Sequence, residues 1–258
     1  MTRARSGPIA AAWLSAPATQ AVFEALERGG YGARAVGGIV RNTLLDLPAT
    51  DIDIATDALP EDTLRLAAAA GLKTIPTGLA HGTVTVISGG AAYEVTTLRR
   101  DVSTDGRHAE VAFTADWAAD AARRDFTINA LYCDRHGEVF DPLGGLADLD
   151  PVQVRFIGNA GQRIEEDYLR ILRFFRFTAT YVAHGVLDPA GLAACTALRG
   201  GLARISGERI QAELLRLLAA PHAVGVTRAL IGSGVFAALF DVPAELDRLT
   251  RMVAIEGR

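Results

Sequence analysis

Two alternating runs of residues, 83–87 and 92–98, most constrain the fold of this 258-residue chain. Each run places apolar and polar side chains in turn, which is the pattern of a β-strand with one buried face. Ser88, Gly89 and Gly90 separate the runs and are typical of a tight turn, so the stretch predicts a β-hairpin. Shorter strand patterns at 33–38 and in "TDIDIAT", between helical patterns at 18–28, 39–47 and 59–72, predict a mixed sheet with helices up to residue 157.

The pattern changes after Gly161, where nearly every segment has apolar residues at helical spacing. Several helical segments follow one another, beginning with "RIEEDYLRILRFFRFTATYVA". A boundary within "IGNAG", residues 157–161, therefore separates an α+β first part from an all-α second part. The predicted fold class is α+β, with a mixed sheet and helices followed by an all-α region.

Composition and charge exclude several classes of protein. Half of the residues are hydrophobic, which allows a large core and argues against a disordered chain. No apolar run reaches the roughly eighteen residues of a membrane span, and Cys133 and Cys195 lie in no metal-ligand or redox spacing. These features predict a soluble cytoplasmic protein with no membrane partner. The net charge of −4 argues against nucleic-acid binding. Basic residues exceed acidic ones after residue 160, however, so the net charge of the whole chain does not decide whether the protein binds nucleic acid.

Two aspartates, Asp51 and Asp53, stand one residue apart in a strand pattern between isoleucines. Residues i and i+2 of a strand point to the same face, so the two carboxylates are expected to project together while Ile52 and Ile54 face the core. Like charges this close favour a cation between them, and Mg²⁺ prefers a few protein oxygens together with water and phosphate. Glu94, on the second strand of the hairpin, can supply a third acid. A solvated strand face is the alternative for these acids.

A pair of glycines, Gly37 and Gly38, stands between a predicted strand and the helix that carries Arg41. Glycines at such a turn allow backbone N–H groups to approach a polyphosphate, whose charge the arginine can bind. An ordinary strand-to-helix turn would show the same pattern, so the glycine pair alone leaves both interpretations open.

The glycine pair, Arg41 and "DIDIAT" together resemble the motif of polymerase-β-type nucleotidyltransferases, and in particular the class II branch of tRNA CCA-adding enzymes and bacterial poly(A) polymerases. The resemblance continues in order through "HGTVTV", "YEVTTLRRD", "RRDFTINAL", "DPLGG", "EEDYLRILRFFRF" and "ISGERIQAELLRLL", over residues 33–220. Asn42 departs from it, because the family usually has aspartate after the arginine. We interpret Asn42 as a tolerated polar residue at the start of the helix.

The resemblance implies a polymerase-β-like nucleotidyltransferase head at residues 1–157, and a helical neck that recognises the base at 158–220. Residues 221–258 would begin a helical body that is truncated relative to the family. The implied reaction adds CCA to a tRNA without a template: the 3′-hydroxyl attacks the α-phosphate of CTP or ATP, and pyrophosphate leaves. The partners would be CTP, ATP and the tRNA 3′ end, with no DNA partner.

The resemblance also assigns catalytic and triphosphate-binding residues. Asp51 and Asp53 would hold two Mg²⁺ ions, which such enzymes use to activate the attacking oxygen and to stabilise the leaving one. Glu94 would position the attacking RNA end. Gly38 and Arg41 would hold the triphosphate.

A second group of site residues lies in "RRDFTINAL". The resemblance implies that Arg124 reaches the nucleotide phosphates. Asp125 would accept a hydrogen bond from a ribose hydroxyl, which favours ribonucleotides, and Asn129 would help there. The alternative for this segment is a capped helix with exposed charges.

The segment "EEDYLRILRFFRF" predicts one helix on which Asp167 and Arg170 are i,i+3 neighbours with adjacent side chains. Cytosine and adenine both present an amino donor beside a ring-nitrogen acceptor. The aspartate can therefore accept from the amino group of either base, and the arginine can donate to the ring nitrogen. Uracil and guanine present a carbonyl and an N–H there. By resemblance Arg173 and Arg176 also line the nucleotide pocket, whereas the helix phenylalanines are expected to pack in a core. A helix with surface ion pairs is the alternative.

Other functions stay open at this point. A poly(A) polymerase would show the same motifs and select ATP alone, and specialised relatives would add only CC or only A. A truncated or catalytically silent RNA- or nucleotide-binding relative fits the short chain, although Asp51, Asp53 and Glu94 are intact. Transfer to a small-molecule hydroxyl would explain the head but not the "EEDYLRILRFFRF" segment.

Overall fold

The structure is a computed structural model that describes residues 8–48, 51–104, 109–243 and 245–256. These residues form two compact units. The first unit contains residues 8–48, 51–103 and 109–150, and the second contains residue 104 together with 151–243 and 245–256. The functional division predicted after residues 157 and 220 stays a prediction.

The first unit is built on a seven-stranded mixed sheet with the strand order β3-β4-β5-β2-β1-β8-β9. The strands β2 and β5 are parallel, whereas the other neighbouring strands are antiparallel. The strands β6 and β7 form a separate two-stranded sheet. The mixed sheet predicted from the alternating patterns is therefore confirmed. The strands are β1 (Ala33–Val36), β2 (Ile52–Thr56), β3 (Lys73–Gly78), β4 (Thr83–Ser88), β5 (Ala91–Thr97), β6 (Arg99–Thr104), β7 (Ala109–Phe113), β8 (Tyr132–Cys133) and β9 (Val139–Phe140).

The predicted hairpin is present as β4 and β5, which pair in antiparallel register. Gly89 and Gly90 form its turn with φ angles of +57° and +82°, values that glycine adopts without the steric cost of a side chain. On the strands, Val84, Val86 and Val95 are buried. The hairpin thus contributes one apolar face to the core of the first unit, and its outer face is free for polar residues.

Five α-helices lie in the described residues of the first unit: α1 (Ala12–Ser15), α2 (Pro17–Arg28), α3 (Gly38–Leu44), α4 (Pro60–Ala69) and α5 (Trp117–Ala122). The helix α2 buries Val22, Phe23 and Leu26 on one face, and it contacts α4 and β4. The helix α3 contacts both β1 and β2. Because α3 joins these two neighbouring strands, it brings the glycine turn after β1 close to the aspartates at the start of β2.

After residue 150, the regular elements of the second unit are all helices in the described residues, as the sequence predicts. Its helix α7 contacts α9 and α10 and buries Leu172, Phe174 and Phe175. Phe174 stacks on Phe156 with ring centroids 5.4 Å apart. In the part of the chain that the structure describes, no helix is long and apolar enough to cross a membrane. The helices are α6 (Ala160–Glu166), α7 (Leu169–Tyr181), α8 (Pro189–Leu198), α9 (Gly207–Leu218), α10 (Ala223–Gly232), α11 (Val235–Leu239) and α12 (Leu246–Glu256).

One helix prediction is wrong. The segment 165–177 is not a single helix, because α6 ends at Glu166 and α7 begins at Leu169. Between them Asp167 has extended backbone angles, φ −153° and ψ 105°. Its carboxylate accepts a hydrogen bond from the N–H of Leu169 at 3.1 Å. Aspartate competes well for the free N–H groups at a helix start, and here this contact accompanies the break between the two helices.

Candidate active site

The three predicted acids, which we call the acidic edge, lie where the central strand β2 begins beside β5 in the first unit's sheet. Asp53 is in β2 and is the register partner of Glu94 in the parallel strand β5, and Asp51 directly precedes β2. All three acids are exposed, whereas Ile54 is buried and Ile52 is partly buried. Although the Asp53 side chain as a whole is exposed, the protein around its carboxylate displaces enough water to raise its pKa above the usual range. The charge of Glu94 raises this pKa further, Arg124 opposes the effect, and Asp51 adds to it. The acids therefore repel one another in a way that a cation would relieve.

The described residues contain no cluster of three or more His, Cys, Asp or Glu side chains that is close enough to hold a metal ion. The acidic edge is therefore not a complete protein cage. Such an arrangement fits a cation that takes only a few ligands from the protein and the others from water and phosphate.

The glycine turn lies beside the predicted phosphate-binding arginines. Gly37 has a φ angle of +72°, and its N–H donates to the carbonyl of Leu131 at 3.1 Å. A Cβ atom at Gly37 would lie 3.8 Å from Nη1 of Arg124, and one at Gly38 would lie 3.7 Å from Nη2 of Arg41. The structure thus brings Gly38, Arg41 and Arg124 to one place in the first unit.

Arg41 is nearly buried, at 5% exposure, and two successive hydrogen bonds connect it first to Asn129 and then, through Asn129, to Asp125. Its Nη1 donates to Oδ1 of Asn129, and Nδ2 of Asn129 donates to Oδ1 of Asp125 at 2.9 Å. Asp125 and Asn129 are buried as well. These hydrogen bonds, from the arginine to the amide and from the amide to the carboxylate, fix the three side chains relative to one another.

Asn42 does not have the role that the sequence suggests. It lies within α3, and its Oδ1 accepts from Nε and Nη2 of Arg41 at 3.1 and 2.8 Å. Its Nδ2 donates to the carbonyl of Pro48 at 2.8 Å. The orientation of the amide follows from its partners, because an arginine can only donate and a carbonyl can only accept. Asn42 is therefore a support for Arg41, which the sequence interpretation missed.

Arg124 has a partner that the sequence interpretation also missed. Its Nη2 contacts Oδ2 of Asp120 at 3.0 Å, and Nε donates to the hydroxyl of Tyr132 at 3.3 Å. Asp120 is almost fully buried in α5. Burial would raise the pKa of this carboxyl, but Arg124 and Arg123 hold it below its usual range. The i,i+4 spacing of Asp120 and Arg124 was a usable signal in the sequence.

In the second unit, Asp167 and Arg170 are not paired with each other in the way the single-helix prediction implied. The carboxylate Oδ2 of Asp167 contacts Nη2 of Arg209, on α9, at 2.7 Å. Nη1 of Arg170 donates to Oε2 of Glu166 at 2.5 Å and to the carbonyl of Arg163 at 2.8 Å. The connection between them runs through the backbone, where the N–H of Arg170 donates to the carbonyl of Asp167 at 2.9 Å. Separate ionic partners hold the two predicted base-reading side chains, which remain close in the chain.

Arg173 and Arg176 face a buried acid on α9. Oε2 of Glu213 accepts from Nε of Arg176 at 2.5 Å, and its Oε1 lies 3.9 Å from Nη1 of Arg173. The guanidinium of Arg176 also lies 4.2 Å from the ring centroid of Phe177. The phenylalanines of α7 are buried, as predicted. Glu213 was missed because it lies 37 residues from Arg176 in the chain.

Comparison with protein families finds two separate matching regions. Residues 33–155 match the family described as the poly A polymerase head domain. Residues 186–246 match the one described as the probable RNA and SrmB-binding site of polymerase A. Together the two regions cover more than half of the chain.

Known proteins with similar sequences carry consistent names. The human protein named CCA tRNA nucleotidyltransferase 1, mitochondrial is 44% identical over 219 residues, which are 81% of this chain and 50% of the relative. The CCA-adding enzyme of Streptococcus pyogenes serotype M3 is 41% identical over 203 residues, 78% of this chain and 49% of the relative. The chain thus spans about half the length of the curated relatives it matches.

A solved structure shows the same fold. The CCA-adding enzyme of Bacillus stearothermophilus, solved in complex with CTP, matches with a TM-score of 0.80 and 37% identity over 91% of this chain and 57% of the other. Fold and site together define a nucleotidyltransferase head that is followed along the chain by an all-α region. The chain belongs to the family of the poly A polymerase head domain, within the branch whose curated members are named CCA tRNA nucleotidyltransferases and CCA-adding enzymes.

Proposed function

We propose that this chain carries the catalytic head and base-reading neck of an enzyme that adds CCA to tRNA 3′ ends, using CTP and ATP and releasing pyrophosphate. The observation that carries the proposal is the acidic edge, where Asp53 and Glu94 are register partners beside Asp51. Relatives of 41–46% identity that are named for CCA addition support it. Because the chain spans about half of those relatives, the activity is proposed for this chain and has to be measured on it.

Asp51 and Asp53 are proposed to hold two Mg²⁺ ions. The donor set fits such a group, because Asp53 and Glu94 are register partners on neighbouring strands, Asp51 directly precedes β2, and the pKa of Asp53 is raised by loss of water around its carboxylate and by the neighbouring acids. When bound, the metals would supply charge stabilisation for the attacking and leaving oxygens. Glu94, on the adjacent strand, is proposed to orient the RNA end that carries the attacking hydroxyl.

The residues around the glycine turn are proposed to bind the nucleotide's phosphates and ribose. Arg41 and Arg124 both carry guanidinium groups, whose planar fork matches phosphate oxygens. Arg41 approaches the glycine turn at Gly38, and Arg124 approaches it at Gly37. Asp125 and Asn129 are fixed by their mutual hydrogen bond, which would let the carboxylate accept from a ribose hydroxyl without reorganisation. Pre-positioned groups of this kind lower the cost of orienting the substrate.

Base selection is proposed for Asp167 and Arg170 in the second unit, with Arg173 and Arg176 nearby in the pocket. The arrangement that supports this is a backbone link of 2.9 Å between Asp167 and Arg170 with separate ionic partners for their side chains. Asp167 can accept from the amino group of cytosine or adenine, and Arg170 can donate to the adjacent ring nitrogen. The contacts with Arg209 and Glu166 would then hold each side chain until a base arrives.

The second candidate is a poly(A) polymerase, which the description of the matching head domain favours. To separate the two, the chain is incubated with Mg²⁺, each labelled nucleoside triphosphate in turn, and tRNAs that end before CCA, after C and after CC. Ordered addition of C, C and A supports CCA addition. Long A tails on arbitrary RNA would support the polymerase, and nucleotide binding without incorporation would indicate a silent relative.

A cytoplasmic location is part of the proposal, although the human relative is named as mitochondrial.

A further inference from the structure

Asp120 is a buried acid of the first unit that contacts four other residues. Its side chain is 1% exposed. Oδ1 accepts from Nε of Arg123 at 2.8 Å and from the backbone N–H of Arg99 at 3.2 Å. Oδ2 accepts from the hydroxyl of Tyr132 at 2.8 Å and from Nη2 of Arg124 at 3.0 Å. One carboxylate therefore joins α5 to the first residue of β6 and to the first residue of β8.

The support around Asp120 is rigid. The ring of Tyr132 is fully buried and meets Trp117 edge to face at a centroid distance of 5.6 Å. The Tyr132 hydroxyl also accepts from Nε of Arg124 at 3.3 Å. Two separate atoms of the Arg124 guanidinium group are thus held by two buried oxygens, which leaves the group little freedom to rotate.

The charge of Asp120 matters for this arrangement. Burial opposes ionisation, but the guanidinium groups of Arg124 and Arg123 keep the pKa of Asp120 below its usual range. Although burial acts to lower the pKa of Arg124, Tyr132 and Asp120 keep it above the usual value. A charged pair in a buried site depends on both partners, because removal of one leaves the other uncompensated.

We infer that Asp120 is a positioning residue that holds Arg124 against the glycine turn in the orientation that binds the nucleotide's phosphates. The inference rests on the proposed function, because it takes Arg124 to be a phosphate ligand. Asp120 itself touches no substrate in this scheme. If Asp120 acts in this way, loss of its charge should weaken the protein's contacts with the nucleotide's phosphates and leave its contacts with the base unchanged.

The test compares CTP and CMP binding by isothermal titration calorimetry for the wild type and Asp120→Asn. We expect the variant to bind CTP about tenfold more weakly, since hydrogen bonds to charged groups contribute on this scale, and to lose less than about twofold for CMP, which offers a single phosphate. Asp62→Asn is the matched control, because Asp62 also accepts from a tyrosine and an arginine, Tyr31 and Arg65. Unchanged CTP affinity in Asp120→Asn, or equal losses for CTP and CMP, would overturn the inference.

Two more variants separate positioning from folding. In an Arg124→Ala background, Asp120→Asn should cause no further loss of CTP affinity, because coupled residues are not additive; full additivity would contradict the inference. Tyr132→Phe keeps the carboxylate and removes one hydrogen bond, so it should weaken CTP binding by a smaller factor and serves if Asp120→Asn does not fold. Nucleotide transfer by the wild type is scored separately, so a chain that binds CTP without transferring it refutes the proposed function alone.

Discussion

Glu213 provides the sharpest test of how the second unit is held together. Its side chain is 4% exposed and lies 2.5 Å from Nε of Arg176, whose own side chain is 14% exposed. Burial lowers the pKa of Arg176, and Glu213 opposes this effect most strongly. Removal of the acid therefore leaves a guanidinium group that is both desolvated and unbalanced.

The magnitude follows from the burial of this pair. Loss of one partner from a buried pair costs about 3–5 kcal/mol, so Glu213→Ala should lower the free energy of unfolding of the second unit by that amount. Glu213→Gln keeps an oxygen for Arg176 and should cost about 2 kcal/mol. Arg216, at 66% exposure, adds at most about 1 kcal/mol as a surface partner.

Urea unfolding followed by far-ultraviolet circular dichroism measures these differences. Glu24→Gln is the control, because Glu24 also contacts two arginines, Arg28 and Arg135, but is 36% exposed; it should cost less than about 1 kcal/mol. A loss below about 1 kcal/mol for Glu213→Ala would refute the reasoning. Replacing Arg176 with leucine in the Glu213→Leu variant should recover stability, since it removes the unbalanced charge.

Three further changes test the site residues. The pKa of Asp53 is raised above its usual 3.8, so this carboxyl contributes stability below the unfolded pKa, and the contribution is lost as pH rises through the folded pKa. At pH 7 without metal, the Asp53→Asn variant should therefore unfold in thermal scans no more easily than the wild type. The variant should also lose nucleotide transfer and lose stabilisation by Mg²⁺. Asn42→Ala removes two acceptor contacts from Arg41 and should raise the KM for CTP and ATP alike by about three- to tenfold in steady-state assays. Arg170→Ala should reduce discrimination against UTP and GTP by about tenfold in single-nucleotide incorporation, and unchanged selectivity would remove Arg170 from base reading.

The sequence predicts best those features that depend on neighbours along the chain. Alternation over a few residues is sufficient to predict the hairpin β4–β5. The same period predicts that Asp53 is exposed while Ile54 lies in the core, as the structure shows. The hairpin suggested that Glu94 lies near the two aspartates. The parallel register that makes Glu94 the partner of Asp53 depends on the order of the strands in the sheet. Such an order depends on tertiary packing, which a local pattern does not contain.

Two errors have a common physical cause. The i,i+3 spacing of Asp167 and Arg170 predicts adjacent side chains only if the helix is continuous, but Asp167 has an extended backbone between α6 and α7 and its carboxylate accepts from the N–H of Leu169. The sequence suggests only a tolerated polar residue at Asn42, because the contacts of its amide with the Arg41 side chain and the carbonyl of Pro48 depend on the fold. In both places a polar side chain satisfies a nearby backbone group, an option that apolar periodicity does not register.

Each unit contains a buried acid that organises arginines of the predicted site: Asp120 holds Arg124, and Glu213 holds Arg176. A free arginine loses up to about 2 kcal/mol of side-chain entropy when a ligand fixes it. An arginine already fixed by a buried carboxylate has met that cost during folding, so more of its attraction for a nucleotide appears as affinity. The cost to stability is a desolvated ion pair in each unit. On this reasoning, substitutions at the buried acids should weaken nucleotide binding more than substitutions at exposed acids whose arginine partners lie outside the site.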